Sequence, residues 1–73
     1  MDSIDAESLL NAYPVLRYFE YGHLSIDLQE VSKSFCDLAY DVALINWPKT
    51  SGEVGAALRK LLESRDCAVR AAL

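Results

Sequence analysis

The feature that most constrains the fold is a heptad pattern of apolar residues in the middle of the chain. Seven apolar side chains recur at alternating steps of four and three residues: Leu24, Leu28, Val31, Phe35, Leu38, Val42 and Ile45. This alternation places side chains along one face of an α-helix. We therefore predict a helix over about residues 26–46, with Ser25 as its N-cap and this row, the heptad seam, along one side.

A further helix is predicted after a short break in the pattern. Pro48 ends the heptad pattern, and Thr50 and Glu53 have the spacing of a capping box that begins a new helix. This helix is predicted to run from about Ser51 to the C-terminus. Because so few residues link the two long helices, we predict that they pack as an antiparallel hairpin.

The apolar surface of the last helix is wider than one facing helix can cover. Its main row is Val54, Leu58, Leu61, Arg65, Ala68 and Ala72, and a flanking row is Ala57, Leu62 and Val69. A hairpin can bury one row internally, so we predict that the surplus meets another chain. A chain of 73 residues also buries only a limited share of its surface, which favours a homo-oligomer.

The residues before the hairpin are predicted to form an N-terminal arm. A short helix is expected over about residues 4–12, with Asp2 or Ser3 as its cap. No internal repeat or linker divides the chain. The predicted divisions of this single all-α domain, 1–73, are the arm at 1–23 and the hairpin helices at 24–47 and 51–73.

The charge balance limits the classes of partner. The net charge is -4, with 11 acidic against 7 basic residues. Duplex nucleic acid and anionic membranes both require a basic face, so we expect the protein to bind neither. A small anionic ligand remains compatible with this charge, because a few local cations are enough to hold it.

The cysteines and the N-terminus favour a cytoplasmic protein. The N-terminus is acidic, whereas a secretory signal peptide begins with basic residues, and no apolar run approaches the roughly 20 residues that cross a bilayer. We therefore expect Cys36 and Cys67 to remain reduced. One histidine and two distant cysteines do not have the spacing of a zinc site, so no metal is predicted.

An enzyme requires converging catalytic groups, and the sequence offers few of them. His23 has Asp27 four residues further on, but no nucleophile or orienting partner stands at a matching spacing. No P-loop, dinucleotide-binding glycine pattern or nucleophile elbow is present. We therefore predict no enzymatic activity and no cofactor, and we keep His23 as a candidate for ligand binding.

An aromatic cluster, Tyr18, Phe19 and Tyr21, precedes the heptad seam. Phe19 and Tyr21 are two residues apart, so in an extended segment their side chains point in the same direction. They could stack on the bases of a nucleotide ligand. They could equally cover the open end of the hairpin core, and the sequence leaves both readings open.

Three cations are candidates for binding a phosphate. Lys33 could neutralise a phosphate or form an ion pair with Asp37 one turn away. Arg65 could bind a phosphate through two hydrogen bonds, reach solvent, or pair with an acid. Arg70 suits the negative end of the last helix. The candidate ligand-binding residues are thus Phe19, Tyr21, His23, Lys33, Arg65 and Arg70.

The order of these elements resembles a family of small phage-encoded helical hairpin proteins. That family has an F-x-Y lead-in, a helix with a short L-A core, a proline turn and an A-L-x-K-L-x-E pattern near the C-terminus. The matching residues are Phe19-Glu20-Tyr21, Leu38-Ala39, Pro48, Ala57-Leu58, Lys60-Leu61 and Glu63. The resemblance covers residues 18–73 without a large gap.

The resemblance implies that the protein helps a phage to evade bacterial immunity. The family includes sponges that sequester the cyclic oligonucleotide signals of bacterial CBASS immunity, and related hairpins act against Thoeris signals. Members form homohexamers with ligand sites between protomers, which implies that Tyr21 stacks on a base and that Lys33 is the nearest lysine to the phosphate. Where the family has basic residues just before its L-A core, this chain has Ser34 and Cys36. Where the family often has a Trp and an Asn near the C-terminus, this chain has Cys67 and Val69.

The sequence thus predicts a non-catalytic anti-CBASS sponge in the host bacterial cytoplasm. Its partners would be a cyclic di- or trinucleotide and further copies of itself, as a hexamer. The alternative is a helical protein-interaction module that docks on a host or phage protein without a nucleotide ligand. The wide apolar surface of the last helix is compatible with either function.

Overall fold

The computed structural model describes residues 6–73, and within that range the chain forms helices and no strand. The elements are helix α1 (Ala6–Ala12), a 3₁₀ helix (Pro14–Phe19), helix α2 (Ile26–Ala43) and helix α3 (Gly52–Ala72). The all-α prediction is confirmed. The start predicted for the first helix, with its cap at Asp2 or Ser3, lies outside the described residues. None of the described helices is long and apolar enough to cross a bilayer.

The ends of α2 and α3 follow local signals in the sequence. Ser25 occupies the N-cap position of α2 as predicted, although its side chain makes no capping hydrogen bond. α2 ends at Ala43, three residues earlier than predicted, and Asn46 then adopts a left-handed φ of 62° that asparagine tolerates. The cap of α3 is Ser51 rather than Thr50, because the Ser51 hydroxyl accepts the Glu53 N–H at 3.1 Å.

The segment Pro14–Phe19 ahead of α2 is a 3₁₀ helix, which was not predicted, and Glu20 after it has extended backbone angles. Pro14 stands at its first turn, where the missing N–H is tolerated. A 3₁₀ helix has three residues per turn, which places every third side chain on the same face. The buried face of this segment is Tyr13, Leu16 and Phe19, which are 5%, 1% and 0% exposed. Tyr18 lies on the other side and is 67% exposed.

The face that α2 turns to the core carries small side chains. This small-residue stripe consists of Ser32, Cys36, Ala39 and Ala43, and three of its members are 0% exposed while Cys36 is half-buried. Steps of four, three and four residues keep the stripe on one side of the helix. Because these side chains are short, α3 and the 3₁₀ helix both pack against α2. The core as a whole is Leu9, Tyr13, Leu16, Phe19, Ala39, Ala43, Val54 and Leu58.

The heptad seam is therefore not the face that α2 buries. Its members Leu38 and Ile45 are 48% and 51% exposed, and its other residues are only partly buried. Phe35 and Val42 contact the edge of the core. The seam runs beside the small-residue stripe, and the described chain covers it only in part, leaving Leu38 and Ile45 exposed.

The chain itself covers much of the apolar width of α3. Val54 and Leu58 are buried, and Leu61 and Leu62 pack at the edge of the core. α3 contacts both α2 and the 3₁₀ helix. Part of the surface that we assigned to another chain is thus covered within this one, while Ile26 and Leu38 of α2 are exposed. α1 adds Leu9 to the same core, so it is more than a loose arm.

A buried hydroxyl without a partner yields a stability prediction. The Ser32 Oγ is fully buried and makes no hydrogen bond within the described structure. Such a group costs about 1–3 kcal/mol, so we expect Ser32→Ala to raise the free energy of unfolding by about 1 kcal/mol. Ser34→Ala, on the exposed side of α2, controls for helix propensity. Urea unfolding at one protein concentration measures both, and a Ser32→Ala variant less stable than its control would contradict the prediction.

Candidate functional site

The predicted site residues fall into three places in the structure. Phe19 is fully buried in the core, so its ring is not available to stack on a ligand. Of the two readings left open for Phe19, base stacking and cover of the core, its position agrees with the second, because Phe19 lies on the buried face of the 3₁₀ helix. His23, Arg65 and Arg70 line one pocket, whereas Tyr21 and Lys33 lie outside its lining.

The pocket, which we name the Tyr18 pocket, lies between the lead-in to α2 and the C-terminal half of α3. Its lining residues are Tyr18, His23, Leu24, Arg65, Asp66, Val69 and Arg70. It encloses about 230 Å³. Pockets that bury a drug-sized ligand measure roughly 300–1,000 Å³. The Tyr18 pocket of one chain therefore has room for part of a dinucleotide and not for the whole of it.

Arg65 holds α3 to the 3₁₀ helix. Its side chain is only 15% exposed, and its Nη1 donates to the Tyr18 carbonyl oxygen at 2.8 Å. Its Nε and Nη2 donate to the Asp66 Oδ1 at 2.9 and 2.7 Å. The guanidinium carbon lies 5.9 Å from the centroid of the Phe19 ring, within the range of a cation–π interaction. Of the three predicted options, the structure thus has Arg65 paired with an acid.

Arg70 and His23 provide the more accessible polar groups of the Tyr18 pocket. Both are exposed. The Arg70 Nη2 donates to the Cys67 Sγ at 3.3 Å, a weak hydrogen bond with a sulfur acceptor. Within residues 6–73, Arg70 forms no ion pair and His23 forms neither a hydrogen bond nor an ion pair. A ligand anion could therefore reach both groups without displacing a carboxylate from either.

Tyr21 and Lys33 lie close together as a separate pair of groups. The Lys33 Nζ donates to the Asp37 Oδ2 at 2.7 Å, and both side chains are well exposed. This hydrogen bond, together with the charge of Asp37, raises the pKa of Lys33 above its ordinary value, and Tyr21 makes a smaller contribution. The ion pair one helical turn apart is thus present, and Tyr21 is near enough to interact electrostatically with Lys33.

The two cysteines differ in their surroundings. Both are free; Cys36 is half-buried in the small-residue stripe, and Cys67 is exposed next to Arg70. Burial raises the pKa of the Cys36 thiol, and the charges of Asp37 and Glu20 raise it further. Among the described residues, no group of three or more His, Cys, Asp or Glu side chains is placed to hold a metal ion.

Four residues that line the Tyr18 pocket were not among the candidate ligand-binding residues: Tyr18, Leu24, Asp66 and Val69. The signal for Tyr18 was available, since Pro14 can begin a 3₁₀ turn and a period of three buries Leu16 and Phe19 while exposing Tyr18. Asp66 gave no such signal. Side chains at adjacent positions of a helix do not normally face each other, so its pairing with Arg65 depends on rotamers that spacing does not reveal.

No protein-family model matches the chain, and neither a curated protein nor a solved structure matches it. Support for a function therefore comes from the residue pattern and from the geometry of the Tyr18 pocket.

The cysteine environments predict unequal reactivity. At about pH 8 a smaller fraction of Cys36 than of an ordinary cysteine is thiolate, because burial raises its pKa. We expect iodoacetamide to label Cys67 faster than Cys36 at that pH, and the difference to narrow as the pH rises through the raised pKa of Cys36. Mass spectrometry on the variants Cys36→Ser and Cys67→Ser gives the two rates separately. Equal rates at every pH would contradict the burial that the structure assigns to Cys36.

Proposed function

We propose that the protein is a non-catalytic sponge that binds and sequesters cyclic di- or trinucleotides. The observation that carries this proposal is the grouping of an exposed aromatic ring, Tyr18, with His23, Arg65 and Arg70 around one pocket. Nucleobases stack on aromatic side chains, and phosphates accept hydrogen bonds from guanidinium groups. The resemblance of the residue pattern to phage anti-defence hairpins supports an immune signal as the ligand.

The local charge of the Tyr18 pocket favours an anionic ligand although the chain is acidic. Two guanidinium groups, of Arg65 and Arg70, face one carboxylate, of Asp66. The net charge of -4 arises elsewhere, including on α2, where Asp27, Glu30, Asp37 and Asp41 are all exposed. The residues around a small site set its local potential, so the acidic total charge does not oppose binding.

A homo-oligomer would complete both the fold and the site. The heptad seam exposes Leu38 on α2 and Ile45 in the turn just after α2, which favours association through that side of the molecule. The repeating unit would be the antiparallel hairpin of α2 and α3, and the resemblance favours six copies in the host bacterial cytoplasm. The Tyr18 pocket encloses about 230 Å³, so a second chain would supply the remaining walls.

Tyr21 and Lys33 are the candidates for those remaining walls. They lie outside the pocket lining of their own chain, and together they repeat its combination of an aromatic ring and a cation. A cyclic dinucleotide has two bases and two phosphates. One base would stack on Tyr18 and the other on Tyr21 of a neighbouring copy, with Arg70 and Lys33 near the phosphates. This arrangement preserves the role that the resemblance implies for Tyr21 and assigns a further one to Tyr18.

Sequestration would be the whole of the mechanism. No bond of the ligand is broken, so the effect on signalling depends on the dissociation constant and on the concentration of sites relative to the signal. The bound nucleotide would be recovered chemically intact after denaturation of the protein. An exposed apolar seam and a half-formed pocket also make the active unit the oligomer rather than the isolated chain.

The protein-interaction module remains the second candidate, because two of the cations predicted to bind phosphate are already paired with carboxylates. Lys33 is paired with Asp37, and Arg65 is paired with Asp66, so within the described residues neither is an open phosphate site. The heptad seam could then dock an amphipathic helix of a host or phage protein, with apolar anchors at steps of three and four residues. This function requires no nucleotide.

Calorimetric titration with cyclic nucleotides tests the sponge against the module. We expect sub-micromolar binding of at least one of cyclic di-AMP, cyclic di-GMP, cyclic GMP-AMP and cyclic tri-AMP. Stacking on an aromatic residue contributes roughly 1–3 kcal/mol per base, so Tyr18→Ala or Tyr21→Ala should weaken binding by roughly 5- to 150-fold. Arg70→Ala should weaken it as well, whereas Arg59→Ala, which removes an exposed arginine of α3 outside the Tyr18 pocket, should not.

The titration has a clear opposite outcome. If a folded and oligomeric sample releases no heat with any of these nucleotides, the sponge is excluded for them and the interaction module becomes the better account. If binding occurs but is equally insensitive to Tyr18→Ala, Tyr21→Ala and Arg70→Ala, the ligand binds elsewhere on the protein.

A further inference from the structure

One carboxylate of the Tyr18 pocket already occupies the position in which an anionic ligand would bind Arg65. The Asp66 Oδ1 accepts hydrogen bonds from both Nε and Nη2 of Arg65, at 2.9 and 2.7 Å. These two nitrogens form one edge of the guanidinium, the edge on which carboxylates and phosphates bind with two hydrogen bonds. The remaining donor in use, Nη1, is directed to the Tyr18 carbonyl oxygen. The edge of Arg65 that would bind a phosphate is therefore already bound to Asp66, the next residue in the chain.

The pairing of Arg65 with Asp66 is open to exchange. Arg65 is largely buried, with 15% of its side chain exposed, whereas the Asp66 side chain is 44% exposed. Asp66 could thus turn to solvent while Arg65 stays in place, held by the Tyr18 carbonyl and by the Phe19 ring. Because Asp66 lies at the more exposed end of the pair, another anion can replace it at Arg65 without opening the fold.

We infer that Asp66 is a specificity-determining residue of the Tyr18 pocket, an internal anion that a ligand phosphate must displace from Arg65. This inference rests on the proposed function and deepens it. A ligand with a single phosphate gains one ion pair and breaks another, so its net gain is small. A cyclic oligonucleotide also stacks a base on Tyr18 and places a second phosphate near Arg70. These added interactions exceed the binding free energy that is lost when Asp66 leaves Arg65.

Asp66 would thereby exclude abundant cellular anions. Inorganic phosphate and mononucleotides share the phosphate chemistry of the signal but lack its second base and second phosphate. With Asp66 paired to Arg65, such anions bind weakly, and the oligomer stays free for the signal. Specificity of this type comes from an unfavourable contribution to the wrong ligand rather than from a further contact with the right one.

The variant Asp66→Asn tests this inference directly. Asparagine keeps a side-chain oxygen that can accept from Arg65 but removes the competing charge. We expect Asp66→Asn to bind inorganic phosphate and adenosine monophosphate about tenfold or more tighter than the unchanged protein, the equivalent of one or more ion pairs in a partly desolvated site. Its affinity for the cyclic dinucleotide should rise by a smaller factor. The preference for the cyclic dinucleotide over inorganic phosphate and adenosine monophosphate should therefore fall.

A matched control separates the local effect from the change in total charge. Glu63→Gln removes one negative charge from an exposed position of α3 outside the Tyr18 pocket, and it should leave both affinities within about twofold. Asp66→Ala serves as a second variant, and circular dichroism verifies that each protein keeps its helix content. An equal response of Asp66→Asn and Glu63→Gln would overturn the inference.

The remaining outcomes are also decisive. Weaker binding of all anions by Asp66→Asn would mean that Asp66 positions Arg65 for the ligand, which overturns the inference. If the unchanged protein binds no cyclic nucleotide, the proposed function fails, yet titration with inorganic phosphate still tests Asp66 independently. Phosphate binding that appears only in Asp66→Asn supports the internal anion, and its absence from both Asp66→Asn and Asp66→Ala overturns it.

Discussion

The 3₁₀ helix packs its buried face, Tyr13, Leu16 and Phe19, into the core with α2 and α3, and the other features of the structure depend on this contact. The bulk of Phe19 and Leu16 is accommodated because α2 turns short side chains such as Ala39 and Ala43 to the core. With that side of α2 occupied, its large apolar residues lie on an adjacent face that is only partly covered. The same 3₁₀ turn directs Tyr18 outward and aims its carbonyl oxygen at Arg65, which creates the pocket.

The sequence was sufficient to predict the three α-helices, but neither the 3₁₀ helix nor the face that α2 buries. Caps and proline positions marked the helices to within a few residues, as Ser25 and Ser51 illustrate. α2, however, carries two neighbouring rows that could each face a core: the large residues of the heptad seam and the small-residue stripe. Hydrophobicity favours the seam, whereas the shape of the 3₁₀ helix selects the stripe. The buried face of α2 therefore depends on the conformation of the 3₁₀ helix. The periodicity of residues within α2 carries no information about that conformation.

The candidate site was predictable to a similar degree. His23, Arg65 and Arg70 were proposed from residue type, and the fold brings all three to one pocket although Arg65 is 42 positions from His23 in the chain. Phe19 lies in the core rather than at the pocket because it is on the buried face of a 3₁₀ helix that was not predicted. Asp66 was missed because its relation to Arg65 is a matter of side-chain conformation. Residue type thus identified the chemistry of the pocket, while local backbone geometry determined which aromatic ring serves it.

The central proposal is that the exposed members of the heptad seam, Leu38 and Ile45, join this chain to others, and sedimentation equilibrium tests it most directly. Leu38→Lys places a charge on the seam, whereas Ile26→Lys places one on a residue that is 77% exposed and lies off the seam. We predict an oligomer for the unchanged protein and for Ile26→Lys, and a monomer with unchanged helix content for Leu38→Lys. A monomeric unchanged protein at micromolar concentration, or an intact Leu38→Lys oligomer, would contradict the claim.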